Sequence, residues 1–119
     1  MNQKLLFVDS SASHALTFEC YFRYAGFDVI SVTSCQDAFI IMENFDFDLI
    51  ISDFDCPALD GNTLVDKVAA RTRPIPVIGF ASDMDLVKPS PLIKEVVLKP
   101  ASIFELSDAI DRSLGIVVC

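Results

Sequence analysis

At 119 residues the chain has the length of one ordinary domain, enough to bury about two-thirds of the surface its unfolded form exposes. Apolar residues make up 52% of it, ten of them Phe, yet no apolar run approaches the roughly 18 residues that a membrane span requires. Nine basic against seventeen acidic side chains leave a net charge of -8, which repels phosphate backbones and argues against direct nucleic-acid binding, so that any DNA output would belong to a partner.

Lys4 to Asp9 reads as the first strand. The residues before it, Met1-Asn2-Gln3, lack the apolar stretch and cleavage site of a signal peptide, so the expected compartment is the cytoplasm. A helical period follows from about residue 12 to 25, ending at Gly26, a natural left-handed position. On that helix Phe18, Tyr21, Phe22 and Ala25 follow core spacing. Leu16, Cys20 and Tyr24 form a second stripe, which reads either as a docking or dimer surface or as ordinary exposed apolar residues.

Asp28 to Val32 reads as the second strand, about 35 to 44 as a helix, Asp48 to Asp53 as the third strand, about 62 to 71 as a helix, and Ile75 to Phe80 as the fourth strand. Ala81 to Lys94 breaks this rhythm. Pro89 and Pro91 each remove a backbone donor and clash with the preceding turn, so a regular helix cannot pass through them, and at most one turn is expected near Asp83 to Val87. Glu95 to Leu98 reads as the fifth strand, and the last helix, about 102 to 114, opens with the capping-box pattern Ser102-Ile103-Phe104-Glu105. With the fourth helix degenerate, Phe104 becomes a candidate contact on the remaining face. The apolar tail from Gly115 to Cys119 reads as a linker start, a packed end or a contact.

Several strands are apolar throughout, as in a parallel sheet covered on both faces. The alternation of strand and helix implies an α/β doubly wound sheet with right-handed crossovers, in one domain over residues 1–119.

In such a sheet, ligands gather at the carboxyl ends of the strands. Those ends carry Asp9, Asp53, Ala81-Ser82 and Lys99. Two carboxylates there suit a hard cation such as Mg2+, and the ammonium suits an anion; the plainer reading is that each Asp begins a polar loop. Cys20, Cys35, Cys56 and Cys119 have neither zinc spacing nor the pattern of a disulfide framework and read as reduced thiols. The single histidine, His14, cannot build a His-based metal site and reads as structural.

Three segments resemble the receiver domains of response regulators, the CheY-like family. They are Phe7-Val8-Asp9, the run from Ile50 through Ser52-Asp53-Phe54-Asp55-Cys56-Pro57 to Asp60-Gly61, and Val97-Leu98-Lys99-Pro100, and the likeness extends from Leu5 to Leu114. The resemblance implies a flavodoxin-like five-stranded sheet in the order 2-1-3-4-5. It makes Asp53 the acceptor of a phosphoryl group from a histidine kinase or phosphotransfer protein. Mg2+ would be held by Asp53, Asp9 and the backbone carbonyl of Asp55, Lys99 would contact the phosphoryl oxygens, and Pro100 would follow a cis peptide. The chain would then be a signalling module rather than an enzyme, acting through protein contacts with an output partner.

Several positions depart from the family. Ser10 stands where receivers carry a second acidic metal ligand, so Mg2+ binding should be weak. Ala81 replaces the hydroxyl residue that ends the fourth strand; Ser82 comes one place later and, in an extended strand, would point to the opposite face. Val96 replaces the aromatic switch residue. The Asp55 side chain could supply ligand charge, orient a hydrolytic water or lie idle in solvent. These departures make a phosphorylation-independent pseudo-receiver the first alternative. A second comes from Ile51-Ser52-Asp53-Phe54-Asp55, which resembles the nucleophile motif of haloacid-dehalogenase-type phosphatases, although that motif normally opens the chain and continues with Gly-Thr.

Overall fold

Successive side chains of a strand point to opposite faces of its sheet, and in the computed structural model of this chain both faces are covered. Residues 2–55 and 61–116 are described. The motif residues Cys56 to Asp60 and the tail residues Val117 to Cys119 lie outside them, and with them two of the four cysteines. The other two, Cys20 and Cys35, carry reduced thiols.

Five strands, β1 (Lys4–Val8), β2 (Asp28–Val32), β3 (Leu49–Asp53), β4 (Val77–Ala81) and β5 (Ile93–Leu98), form one parallel sheet in the order β2-β1-β3-β4-β5. Four helices, α1 (Ala12–Tyr24), α2 (Cys35–Asn44), α3 (Gly61–Ala69) and α4 (Ile103–Leu114), supply the two outer layers. The alternation of the central strands sorts the core in two. Leu5, Phe7, Leu49, Ile51, Ile78 and Phe80 face Phe22 of α1 and Leu106 and Ile110 of α4. Leu6, Val8, Ile50, Val77 and Ala81 face Met42 of α2 and Leu64, Val65 and Val68 of α3. Every residue of β3 and β4 is buried, which is why their sequences read as apolar runs rather than alternating ones. The edge strand β5 is more open, with Lys94 exposed on it.

Serines start three of the helices. Ser11, Ser34 and Ser102 each accept the amide of the residue three places on, which satisfies a donor the helix itself cannot. Gly26 and Gly115 carry positive φ just beyond α1 and α4.

The strand limits differ from the sequence reading in instructive ways. Asp9 and Asp48 fall outside β1 and β3, and β4 begins only after Pro76, which has no amide to give the ladder, and runs on to include Ala81. Ala25, expected in the core, is exposed because it closes α1 where the chain turns away.

No α-helix lies between β4 and β5. One 3-10 turn, Met84–Leu86, forms there, capped by the Asp83 side chain on the amide of Asp85 at 2.9 Å. Val87, Leu92 and Ile93 still pack on the core face that a helix would have covered. Asn62, in the first turn of α3, pins this loop: its Nδ2 donates to the Leu86 carbonyl at 2.9 Å and its Oδ1 accepts the Lys88 amide at 2.9 Å. Asn62→Ala should therefore lower stability by about 1 kcal/mol, or roughly 4 °C in Tm. Amide exchange should quicken at residues 86–88, while β3 and β4 stay protected; thermal melts and hydrogen exchange check both.

Candidate functional site

The order β2-β1-β3-β4-β5 reverses direction between β1 and β3, which opens a crevice at their carboxyl ends. Asp9 follows β1 and Asp53 ends β3. Both are buried, with 4% and 6% of their surface exposed. Backbone bonds fix the neighbouring strand ends. The Asp9 amide donates to Val32, the Phe54 amide to Phe80 at 2.9 Å, and the Lys99 amide to Ala81 at 2.8 Å.

Lys99 reaches back from β5 across the end of β4. Its Nζ lies 3.0 Å from Asp53 Oδ1 and 3.0 Å from Asp55 Oδ2, and 4.8 Å from the centre of the Phe80 ring. The Lys99–Pro100 peptide is cis. Asp53 Oδ1 also accepts the Asp55 amide at 2.9 Å, so both of these donors meet on one oxygen and neither touches Oδ2. Asp9 Oδ1 accepts the Ser11 amide at 2.8 Å, and His14 Nδ1 stands 3.9 Å from Asp9 Oδ2.

The charges perturb one another. Burial foremost, with the nearby Asp53 charge, pushes the Asp9 carboxyl above its ordinary value, against the Ser11 amide, His14 and Lys99. Burial would also raise Asp55, but the Ser82 amide, the Lys99 ammonium and the Ser82 hydroxyl outweigh it and hold that carboxyl low. For Lys99, burial favours loss of the proton, and the two carboxylates more than reverse it.

Asp9, Asp53, Asp55 and Lys99 thus meet at one edge, and Ser82 joins them. The Ser82 amide and hydroxyl both donate to Asp55 Oδ1, at 2.7 and 3.0 Å. The expectation that Ser82 points to the far face fails because β4 stops at Ala81, and the alternation of an extended strand no longer applies to the bend that follows. Ala81 itself is fully buried in the core cluster with Phe54, and half-buried Val96 packs against that cluster rather than in the charged crevice. Ser10 is exposed beside Asp9. The sequence reading also missed the approach of His14 to Asp9, whose only trace is a histidine one turn into a helix that starts at the site.

The residues fit a hard cation as a two-carboxylate site. Mg2+ is commonly held by one or two carboxylates with waters completing its shell, and a cation there would offset the burial and the neighbouring Asp53 charge that disfavour ionised Asp9. Among the described residues no group of three or more His, Cys, Asp or Glu side chains is placed to hold a metal, and Ser10 adds no charge.

The family model for the response regulator receiver domain matches residues 5–111. The chain belongs to that family. No curated protein matches it, but many solved structures do. A CheY-like receiver domain from Methylobacillus flagellatus is 21% identical, covers 95% of this chain and 99% of its own, and superposes with a TM-score of 0.82. The chemotaxis response regulator CheY4 of Vibrio cholerae gives 22% identity, 96% and 100% coverage and 0.82. Response regulator TrrA from Thermotoga maritima, in complex with Mg2+-BeF, gives 17%, 94% and 99%, and 0.81. At these identities the likeness is one of fold, and that fold is the sheet order and layering described above. Among the described residues, no helix of this receiver is long and apolar enough to cross a membrane.

Because the folded protein raises the Asp9 pKa, ionised Asp9 is a cost to folding at every pH above that raised value. The cost disappears as pH falls below the unfolded value of about 4. Without divalent cation, Asp9→Asn should therefore be more stable than the natural receiver at pH 7, and the gap should close towards pH 3. Denaturant unfolding at the two pH values checks it.

Proposed function

We propose that this receiver takes a phosphoryl group on Asp53 from a phosphohistidine of a histidine kinase or phosphotransfer protein and signals through contact with an output partner, residues 1–119 acting as one module. The observation that carries the reading is the ion pair between Lys99 and a buried carboxylate at the end of the central strand. In the transfer a carboxylate oxygen of Asp53 attacks phosphorus in line, the P–N bond to the donor imidazole breaks as the new P–O bond forms, and the imidazole departs with the bonding pair. Oδ2, which neither Lys99 nor the Asp55 amide engages, is the oxygen suited to attack. Lys99 faces the charge that spreads over the phosphoryl oxygens.

Asp9, Asp53 and the Asp55 carbonyl would hold Mg2+, which when bound supplies further neutralisation of the phosphoryl oxygens. The Mg2+-BeF complex of TrrA supports this by likeness of fold. Ser10 leaves the site one anionic ligand short, so Mg2+ binding should be weak, and Ser10→Asp should tighten it about tenfold, equivalent to about 1.4 kcal/mol. Titration followed by Tm or intrinsic fluorescence checks this, and equal affinities would show that Ser10 costs the site nothing.

Receiver domains are in general signalling modules rather than enzymes, and the dehalogenase-type reading loses its support within the site as well. There the second Asp must act as a general acid, whereas Asp55 is held low and bound on both oxygens. The pseudo-receiver reading keeps one specific support: the position that ends β4 is a buried alanine methyl, with no hydroxyl to respond to a phosphoryl group.

Incubation with acetyl phosphate and Mg2+ followed by intact-mass measurement separates the two. One added phosphoryl group, absent in Asp53→Asn, is the expected result. An unmodified natural chain would leave the pseudo-receiver reading in its place.

A further inference from the structure

Asp55 collects more donors than a loop carboxylate needs. Its Oδ1 takes the amide and hydroxyl of Ser82, at 2.7 and 3.0 Å, and its Oδ2 takes the Lys99 ammonium at 3.0 Å. These donors come from the ends of β4 and β5, which the bond from the Lys99 amide to the Ala81 carbonyl locks together. The bond from the Asp55 amide to Asp53 Oδ1 folds residue 55 back over the end of β3, which brings its carboxylate to them. One ammonium is thus shared between two carboxylates, only one of which the family's chemistry needs.

A phosphoryl group on Asp53 would bring about two negative charges into this crevice. Its oxygens would need what Asp55 already has: the ammonium that pairs with Asp53, and the donors at the end of β4. Both anions cannot hold a single ammonium and a single amide at full strength. The Asp53 side chain is 7% exposed and has nowhere to go, while that of Asp55 is 27% exposed and can turn to solvent.

We propose that Asp55 is a built-in counter-anion, a specificity-determining residue whose carboxylate holds Lys99 and Ser82 where the oxygens of a phosphoryl group on Asp53 would bind, so that phosphorylation proceeds by displacing it. The inference rests on Asp53 being the acceptor. It makes Ser82 the shifted counterpart of the hydroxyl missing at Ala81. The loop after β4 is then held in place before any phosphoryl group arrives, and less rearrangement remains for phosphorylation to cause.

The test uses the full chain, with beryllofluoride as the phosphoryl analogue at Mg2+ concentrations saturating for each protein. Asp55→Asn keeps an oxygen for Ser82 but loses the charge that holds Lys99; Asp55→Ala loses both. Each variant should bind beryllofluoride about threefold or more tightly than the natural chain, the fold-change expected when a partly exposed competing ion pair is removed. In the protein without analogue, exchange of the Ser82 amide should be slow in the natural chain and in Asp55→Asn and fast in Asp55→Ala. Equal or weaker analogue binding by both variants overturns the proposal, even if Ser82 exchange changes. If neither the natural chain nor the variants bind the analogue, the acceptor reading has failed on its own. The exchange measurement then decides alone: fast exchange only in Asp55→Ala upholds Asp55 as the anion that the strand ends hold, and exchange alike in all three overturns it.

Discussion

A single ammonium among buried carboxylates is the constraint on which this receiver depends. Asp53 ends a strand whose every residue is buried, and a carboxylate there, without a partner, would cost several kcal/mol in lost hydration. Lys99 supplies the partner, and it can do so only because β5 lies beside β4 and the end of β4 beside β3. The sheet order, the backbone bonds that align the strand ends and the position of the lysine are therefore parts of one electrostatic solution. Asp9 shows the same problem only partly solved: it is buried near the Asp53 charge, and its helpers are an amide, a histidine at the edge of reach and the charge of Lys99.

Much of this was legible in the sequence because it follows from period and punctuation. Uninterrupted apolar runs announced strands covered on both faces, and acidic or basic residues directly after them marked the crevice. Two prolines sufficed to rule out the fourth helix, since their effect is local and steric. What could not be read were contacts that depend on where a strand stops. Alternation gives Ser82 the wrong face because it holds only as far as Ala81, where β4 ends. Its bond to Asp55 joins residues far apart in the chain, and only the parallel pairing of β3 with β4 brings them together. Asn62 gave no signal either: an Asn in a first helical turn is unremarkable until a loop arrives from the other side of the sequence to use both ends of its amide.

The second stripe of α1 remains outside the core, with Leu16 and Tyr24 largely exposed, and Phe104 stands out from the first turn of α4. The net charge of -8 disfavours approach of anionic molecules to the surface as a whole.

At its β5 side the sheet ends in an open row of backbone groups, beside a connection that lacks the usual helix. Such an edge can accept a strand from another copy, which in a crowded solution is a route to aggregation. Lys94 stands exposed near the start of that edge strand, and the register slips between Val77 and Ile78 where β5 joins the ladder. A half-buried ammonium pairs with the carboxylates at the strand ends, and an exposed one guards the colloidal behaviour of this protein, since an incoming strand would have to desolvate a charge to dock.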